Sequence, residues 1–390
     1  MNRQTTALHT PYVRPDAYGA LAVPIYSNVA YEFDDAQTMA DVFCNRQKAP
    51  DYSRVANPTV TQFEQRVRAL TGAEHVTAFA SGMAAISNVL LSLVEQGKNV
   101  VTSRHLFGNT LSLISVSLAR FGVEARLCDL TNISEVEANV DENTACIFLE
   151  IVTNPQLEVA NLADLAKVAH AKNVPLVADS TIIPFTETHL DRLGVDIEVL
   201  SSTKYLSGGG TSLGGLVIDY GKFSNFNKRL KQEMLFNFGA YQTPQSAYMQ
   251  TLGLETLAVR YRQQAVNALS LAQALQHIDG IVRVDYVGLS SHPYHQIAQQ
   301  QFGPTAGAML TIDLRSEEAC FSFLNRLQLI HRATNLFDNR TLAIHPASTI
   351  FGLFTADEKR QMDVRDTTIR ISVGLEDVAD LVADIKQAIE

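Results

Sequence analysis

Lys204 sits in a setting that asks for a chemical explanation. It lies in the stretch 198–219, EVLSSTKYLSGGGTSLGGLVID, where Val199 and Leu200 give way to Ser201, Ser202 and Thr203, then to the lysine and to Gly208, Gly209 and Gly210. After Gly214 and Gly215 a second apolar run begins. The pattern predicts a strand, a tight polar turn and a second strand. Glycines let backbone approach closely and the hydroxyls can donate to an anion, so this lysine can be held against something bound at a sheet edge. A solvated lysine in a glycine-rich surface turn fits the same stretch, and the rest of the chain must choose.

Other residues offer compatible chemistry. Ser81-Gly82-Met83-Ala84-Ala85 opens a helix directly after a strand, so free N–H groups and the positive helix end can face an anion, and Gly82 permits close approach. An ordinary capped helix is the plain alternative. Asp179 ends the otherwise apolar VPLVAD, and a carboxylate buried there needs a cationic partner or a metal. No second carboxylate or histidine stands at ligand spacing, so no metal site is expected. Asn154 precedes Pro155, which suits a turn, yet its amide can also bond a phenolate-like oxygen. Arg370, in TIRISVG, is a surface residue on a strand or a bidentate clamp for a substrate carboxylate. Neither GxxxxGK[ST] nor a GxGxxG opening a helix is present, which sets nucleotide binding aside. A lysine, a buried aspartate, an anion-binding helix start and phosphate-directed hydroxyls around one pocket are what pyridoxal phosphate needs.

These residues must be carried by a framework. Residues 1–56 lack the periodicity of an autonomous core, with prolines at 11, 15, 24 and 50, and read as an irregular arm that packs on something else. At Asn57-Pro58 asparagine can cap and proline can fill the first helical position, with Val60, Phe63, Val67 and Leu70 on one face. From 74 to 219 short apolar runs (VTAFA, NVVT, ACIFL, PLVAD, DIEVL, GLVID) alternate with amphipathic segments at 82–95, 109–120 and 161–172. This predicts an α/β fold with a mostly parallel central sheet covered by helices on both faces. Such sheets bind ligands at the carboxyl ends of their strands, where Ser81 to Met83, Asn154, Asp179 and Ser201 to Lys204 fall. A long helix from 254 to 275 leads into strand-like IVRVDYV, AMLTIDL and TIRISVG and a closing helix. The expected division is an arm (1–56), a large domain (57–253), and a linking helix with a smaller C-terminal α/β domain (254–390).

Composition narrows the partners. The chain has 390 residues, 46% hydrophobic and 18% charged, with a net charge of −10 and no basic cluster, so a small-molecule partner is expected rather than nucleic acid or an anionic membrane. Cys44, Cys128, Cys146 and Cys320 are scattered without a CxxC, which fits a reducing compartment and inert thiols. No apolar core marks the first fifteen residues as a signal peptide, and no run of about eighteen apolar residues appears, so a cytoplasmic protein is expected.

The motifs YSRVANPT (52–59), SGMAAI (81–86), TNP (153–155), VADST (177–181), SSTKYLSG (201–208), GLETL (253–257), HPAST (345–349) and IRISVGLED (369–377) occur in this order. Through them nearly the whole chain resembles the cysteine/methionine-metabolism family of pyridoxal-phosphate enzymes, fold type I. The resemblance implies that Lys204 anchors the cofactor covalently and afterwards shuttles protons. It gives Asp179 the pyridinium and gives Gly82, Met83, Ser201 and Thr203 the phosphate. Asn154 would bond the ring oxygen and Arg370 would clamp the substrate α-carboxylate. Tyr52 and Arg54 match residues that reach the phosphate in a neighbouring subunit, implying a homodimer with shared sites, usually doubled to a homotetramer.

Departures from the family pattern bear on the reaction. Phe107-Gly108-Asn109-Thr110 stands where the family has YGGT or YGCT, so stacking on the cofactor is kept and a phenol is lost. Tyr52 from a neighbouring subunit is then a candidate proton donor. The cysteine typical of methionine γ-lyases is Asn109. The segment 208–215, GGGTSLGG, is close to the GHGTTIGG of acetylhomoserine sulfhydrylases and unlike the GHSD of many lyases. Asn335 and Phe337 replace the serine and glycine of a VSLG segment beside the substrate carboxylate. The expectation is an O-acetyl- or O-succinylhomoserine sulfhydrylase of methionine biosynthesis. The alternatives are a γ-lyase acting on methionine or a related amino acid, a cystathionine synthase, and, in another class, a cofactor-free scaffold on the same fold.

Overall fold

The structure, a computed structural model, describes residues 2–10 and 18–389. Seven strands form the larger sheet: β1 (His75–Phe79), β2 (Asn99–Ser103), β3 (Glu124–Cys128), β4 (Thr144–Glu150), β5 (Leu176–Asp179), β6 (Ile197–Leu200) and β7 (Gly215–Asp219). Their order is β1-β7-β6-β5-β4-β2-β3, parallel from β6 to β3, with β7 antiparallel to both of its neighbours. The exception has a local cause. Parallel neighbours need a crossover, usually helical, whereas β6 and β7 are joined only by the short polar segment 201–214, and it returns the chain antiparallel. That segment holds Lys204.

Both faces of the sheet are covered because successive strand residues point to opposite sides. Cys146 and Phe148 of β4 pack with Ile86, Val89 and Leu90 of the helix Gly82–Leu93. Ile147 and Leu149 pack with Val67 and Leu70 of Pro58–Thr71 and with Leu165 of Leu162–Ala171, on the other side. Asn57 caps Pro58–Thr71 as its sequence predicts, its side chain accepting from the Thr59 amide, and left-handed Gly72 ends the helix. Cys128, Cys146 and Cys320 are buried, which pushes their thiols up to about 12, about 12 and about 11.

A second sheet follows: β8 (Arg283–Asp285), β9 (Met309–Asp313), β10 (His331–Arg332), β11 (Leu342–Ile344) and β12 (Thr368–Ser372), in the order β10-β11-β12-β9-β8. Arg370 lies in β12, paired with Thr311 of β9 and Ile344 of β11.

Three expectations need correction. The arm is not wholly irregular: Arg3–His9 and Ala36–Phe43 are helices, each with its N-cap side chain bonded to a backbone amide. The first of them docks on this same chain, where Arg3 donates to the carbonyls of Thr186 and Thr188 and Arg66 donates to that of Ala7. The prolines at 11 and 15 lie outside the described residues. The long helix starts at Leu257, after a break at Thr256 that separates it from Pro244–Glu255. Gly253, in the last turn before that break, is pressed against the backbone just past Lys204: a Cβ there would lie 1.7 Å from the Leu206 carbonyl oxygen. The segment 109–120 is not one helix but a short α-turn, Gly108–Ser112, a wider turn, Leu113–Ser117, and a tighter one, Leu118–Phe121, which keep Leu111, Ile114 and Leu118 in the core.

Candidate active site

The carboxyl ends of β1, β4, β5 and β6 open on one cavity of about 870 Å³. Gly82, Met83, Phe107, Asn154, Asp179, Ser201, Thr203, Lys204 and Arg370 all line it, though they come from segments almost 290 residues apart. The larger sheet gathers all of them but Arg370, which β12 of the smaller sheet supplies.

Lys204 is mostly buried on the cavity floor. Burial first, then the charge of Arg370, lower its amine to about 8, while Asp179 acts in the opposite direction. An amine so placed is partly neutral near neutral pH, as a carbonyl-attacking or proton-accepting lysine must be. Its Nζ donates to Oδ1 of Asn335 at 2.9 Å. Asp179, at the end of β5, accepts from the Thr181 amide, and burial pushes its carboxyl up to about 6. That carboxylate is short of a cation, which a protonated ring nitrogen bound above it would supply.

Beside Asp179 in the sheet register stands Glu150 of β4, which accepts from the amides of Phe107 at 2.6 Å and Asn154 at 3.2 Å. Burial, then Asp179, push its carboxyl up to about 8. One buried side chain therefore fixes both the backbone of Phe107 and the turn of Asn154. Arg370 is 2% exposed and donates to Oδ1 of Asn154 at 3.2 Å and to the carbonyls of Thr334 and Asn335. A guanidinium can only donate, so it sets the asparagine's orientation and leaves Nδ2 free to donate to a bound oxygen. Burial lowers the pKa of Arg370, but a delocalised guanidinium stays charged.

The anion cradle lies opposite. Ser81 caps Gly82–Leu93 by accepting from the Ala84 amide at 3.1 Å, and its carbonyl accepts from Ala85. Among the described residues nothing accepts from the amides of Gly82 and Met83, so both are available to a phosphate. A Cβ at Gly82 would sit 2.6 Å from Cβ of Ser201, so only glycine lets the helix start meet the Ser201 turn. Thr203 is less free than expected, because its hydroxyl donates to the Gly214 carbonyl and accepts from the Gly214 amide.

A model of Cys/Met-metabolism PLP-dependent enzymes matches residues 4–390. The chain belongs to this family. The enzyme is 36% identical to the L-methionine γ-lyase of Fusobacterium nucleatum subsp. polymorphum, over 99% of this chain and 97% of the relative. It is 35% identical to the O-succinylhomoserine sulfhydrylase of Pseudomonas aeruginosa, over 94% and 90%. Among solved structures it superposes, with a TM-score of 0.96 and 33% identity over 100% of both chains, on a Campylobacter jejuni protein described as an O-acetylhomoserine (thiol)-lyase, in which a lysine carries a pyridoxyl phosphate. The fold is therefore fold type I and the cofactor pyridoxal phosphate. The orphaned amides of Gly82 and Met83 and the cation-seeking Asp179 suit that cofactor, with Lys204 between them.

Within the enzyme, Tyr52 and Arg54 stand apart from these residues. Tyr52 is 41% exposed, forms a single bridge with Ala30, and has the Arg54 guanidinium 5.4 Å from its ring centre. Arg54 donates to the Phe236 carbonyl, and neither residue lines the cavity. Phe337 faces away from the site: it adopts φ 56°, where glycine is at ease, and its buried ring stacks on Tyr205 at 4.1 Å. The glycine loop after Lys204 is clamped to the same segment, Asn339 donating to Gly208 and Arg340 to Gly209. Glu150, Thr181 and the wall formed by Ile350, Leu353 and Phe354 were not read from the sequence. Glu150 carries the same signal as Asp179, a carboxylate ending an apolar strand. The wall has none, since its approach to the site is purely tertiary. Among the described residues no group of His, Cys, Asp and Glu is arranged to hold a metal, and no helix is long and apolar enough to cross a membrane.

Proposed function

We propose that the enzyme catalyses γ-replacement on an O-acyl-L-homoserine, acetyl or succinyl, with sulfide or a thiol. Sulfide gives homocysteine. Bound pyridoxal phosphate supplies the electron sink for the carbanion at the substrate α-carbon. Arg370 binds the α-carboxylate and orients that carbon toward Lys204, whose Nζ accepts the α-proton and holds it for delivery later in the cycle. Asp179 keeps a positive charge at the far end of the site, while the amides of Gly82 and Met83 with Ser201 hold the phosphate. The acyloxy group leaves with the electron pair of the Cγ–O bond as a carboxylate, and hydrosulfide supplies the pair of the new Cγ–S bond. Tyr52 and Arg54, outside their own cavity, complete the site of a neighbouring subunit in this reading.

The observation that carries the proposal is Phe107 in the cavity wall. A phenol at that place serves to protonate a poor leaving group, whereas a carboxylate, the base of an acid of pKa about 4, leaves without help. The glycine segment 208–215 supports the same choice. A second reading, a γ-lyase acting on methionine or a related amino acid, is favoured by the lyases among the relatives. Purified enzyme with O-acetyl- or O-succinylhomoserine and sulfide is expected to yield homocysteine by mass. Release of 2-oxobutyrate and ammonia alone, whatever nucleophile is present, selects the lyase.

A further inference from the structure

His105 lies two residues before Phe107, and the reaction above makes no use of it. Its ring is held at both nitrogens: Nδ1 lies 3.1 Å from Oε2 of Glu158, and Nε2 lies 2.8 Å from Oδ2 of Asp363. A neutral imidazole has one N–H and one acceptor, and carboxylates only accept, so a ring that serves both carries two protons and a positive charge. The two carboxylates come from different parts of the fold. Glu158 follows the Asn154 turn at the end of β4, in the layer of the larger sheet. Asp363 follows the helix Ala356–Gln361, between β11 and β12 of the smaller sheet, and that helix continues from the cavity wall at Ile350 to Phe354.

A second bond crosses the same junction, from Nε2 of Gln156 to the Met362 carbonyl at 2.7 Å. Between the layers is a cavity of about 160 Å³, bordered also by Arg283, Asp285, Tyr294 and Arg365. The basic groups there are answered elsewhere, Arg283 by Asp285 at 2.7 Å and Arg365 by Asp313 at 2.9 Å, so His105 is the cation that Glu158 and Asp363 share, Glu158 also facing the Tyr294 hydroxyl. Asp363 takes φ 54°, a backbone glycine adopts freely, and from there its carboxylate reaches the imidazole.

We propose that His105 is a positioning residue: as an imidazolium bridging Glu158 and Asp363, it ties the loop carrying Phe107 to the smaller-sheet layer and so fixes the aromatic wall of the substrate cavity. This rests on the reading of Phe107 as the ring over the cofactor. Phe107 is then held twice, by Glu150 through its own amide and by His105 two residues away. Burial works against the imidazolium, but the two carboxylates more than offset it, and the ring's pKa is raised above 6.5. A raised folded-state pKa means the bridge is complete below 6.5 and is lost as pH rises through the folded value. Asp363, 68% exposed against 12% for Glu158, is the arm that opens.

The test uses wild type, His105→Gln and Asp363→Gly, the last removing a carboxylate where glycine accepts the backbone. Imidazole titration by NMR, with His105→Gln identifying the signal, and hydrogen exchange across 104–110 and 356–366 are measured with and without cofactor. KM is followed against pH for any amino acid the enzyme turns over, so the result does not depend on whether replacement or elimination is the reaction. The expected wild-type signal titrates above 6.5, and exchange in both segments rises together at alkaline pH. KM then climbs on the order of tenfold with kcat little changed. In Asp363→Gly, and in His105→Gln if it folds, KM is raised at all pH values and that limb is flat. A KM profile of Asp363→Gly that superimposes on wild type, or a His105 signal titrating at or below 6.5, overturns the proposal. Failure of γ-replacement alone leaves all these readouts in place.

Discussion

The Nζ of Lys204 donates to Oδ1 of Asn335, and the backbone carbonyl of the same asparagine accepts from Arg370. One residue thus touches both cations of the site, and it stands where the family pattern has a serine. Asn335→Asp puts a negative charge against the Lys204 amine, which burial and Arg370 have lowered to about 8. The opposite charge favours the ammonium, so the proton-accepting form is reached only at higher pH. The acidic limb of the kcat profile is expected to move to higher pH by about one unit. An unmoved limb would show that Lys204 is not the group titrating there.

Arg370→Lys keeps a positive charge but loses the planar fork, and with it the bond that orients Asn154. KM for the amino acid is expected to rise on the order of 10- to 100-fold, with a smaller fall in kcat. Steady-state kinetics beside cofactor titration separates this from lost cofactor binding.

Gly82→Ala places a methyl 2.6 Å from Cβ of Ser201, so one of the two phosphate-side elements must shift. The expected cost is about 1–3 kcal/mol in stability. Cofactor affinity is expected to fall on the order of tenfold or more, read by equilibrium dialysis.

Glu150 and Asp179 are adjacent carboxyls raised by burial to about 8 and about 6. A carboxyl whose folded pKa is raised binds more protons folded than unfolded, so its cost appears as pH climbs from its ordinary value to the folded one. Cofactor-free wild type is therefore expected to lose stability between about pH 4 and pH 8, and Glu150→Gln to lose less. Urea midpoints at pH 5 and pH 8 measure this. Equal pH slopes for the two proteins would contradict the assignment.

Lys204, Asp179, Asn154 and the Ser81 cap were legible in the sequence because each follows an apolar run at a strand end, and that local signal survives folding. Glu150 carries the same signal, but the apolar run ACIFL stops one residue short of it, and the carboxylate is the last residue of β4. β10 and β11 are two and three residues long, too short for any periodicity to register. β3 is an edge strand with Glu124 and Leu127 exposed, so it lacks the doubly apolar run that marked its neighbours. The wall at Leu353 and Phe354 depends on contacts with residues far away in the chain, which no local pattern encodes.

The most direct test of γ-replacement is the partition of products from O-acetyl- and O-succinyl-L-homoserine as sulfide is titrated from zero, with homocysteine and 2-oxobutyrate quantified together. Homocysteine is expected to rise to near stoichiometry with the released carboxylate while 2-oxobutyrate falls away. A 2-oxobutyrate yield that stays constant at saturating sulfide, with no homocysteine from either ester, would contradict it.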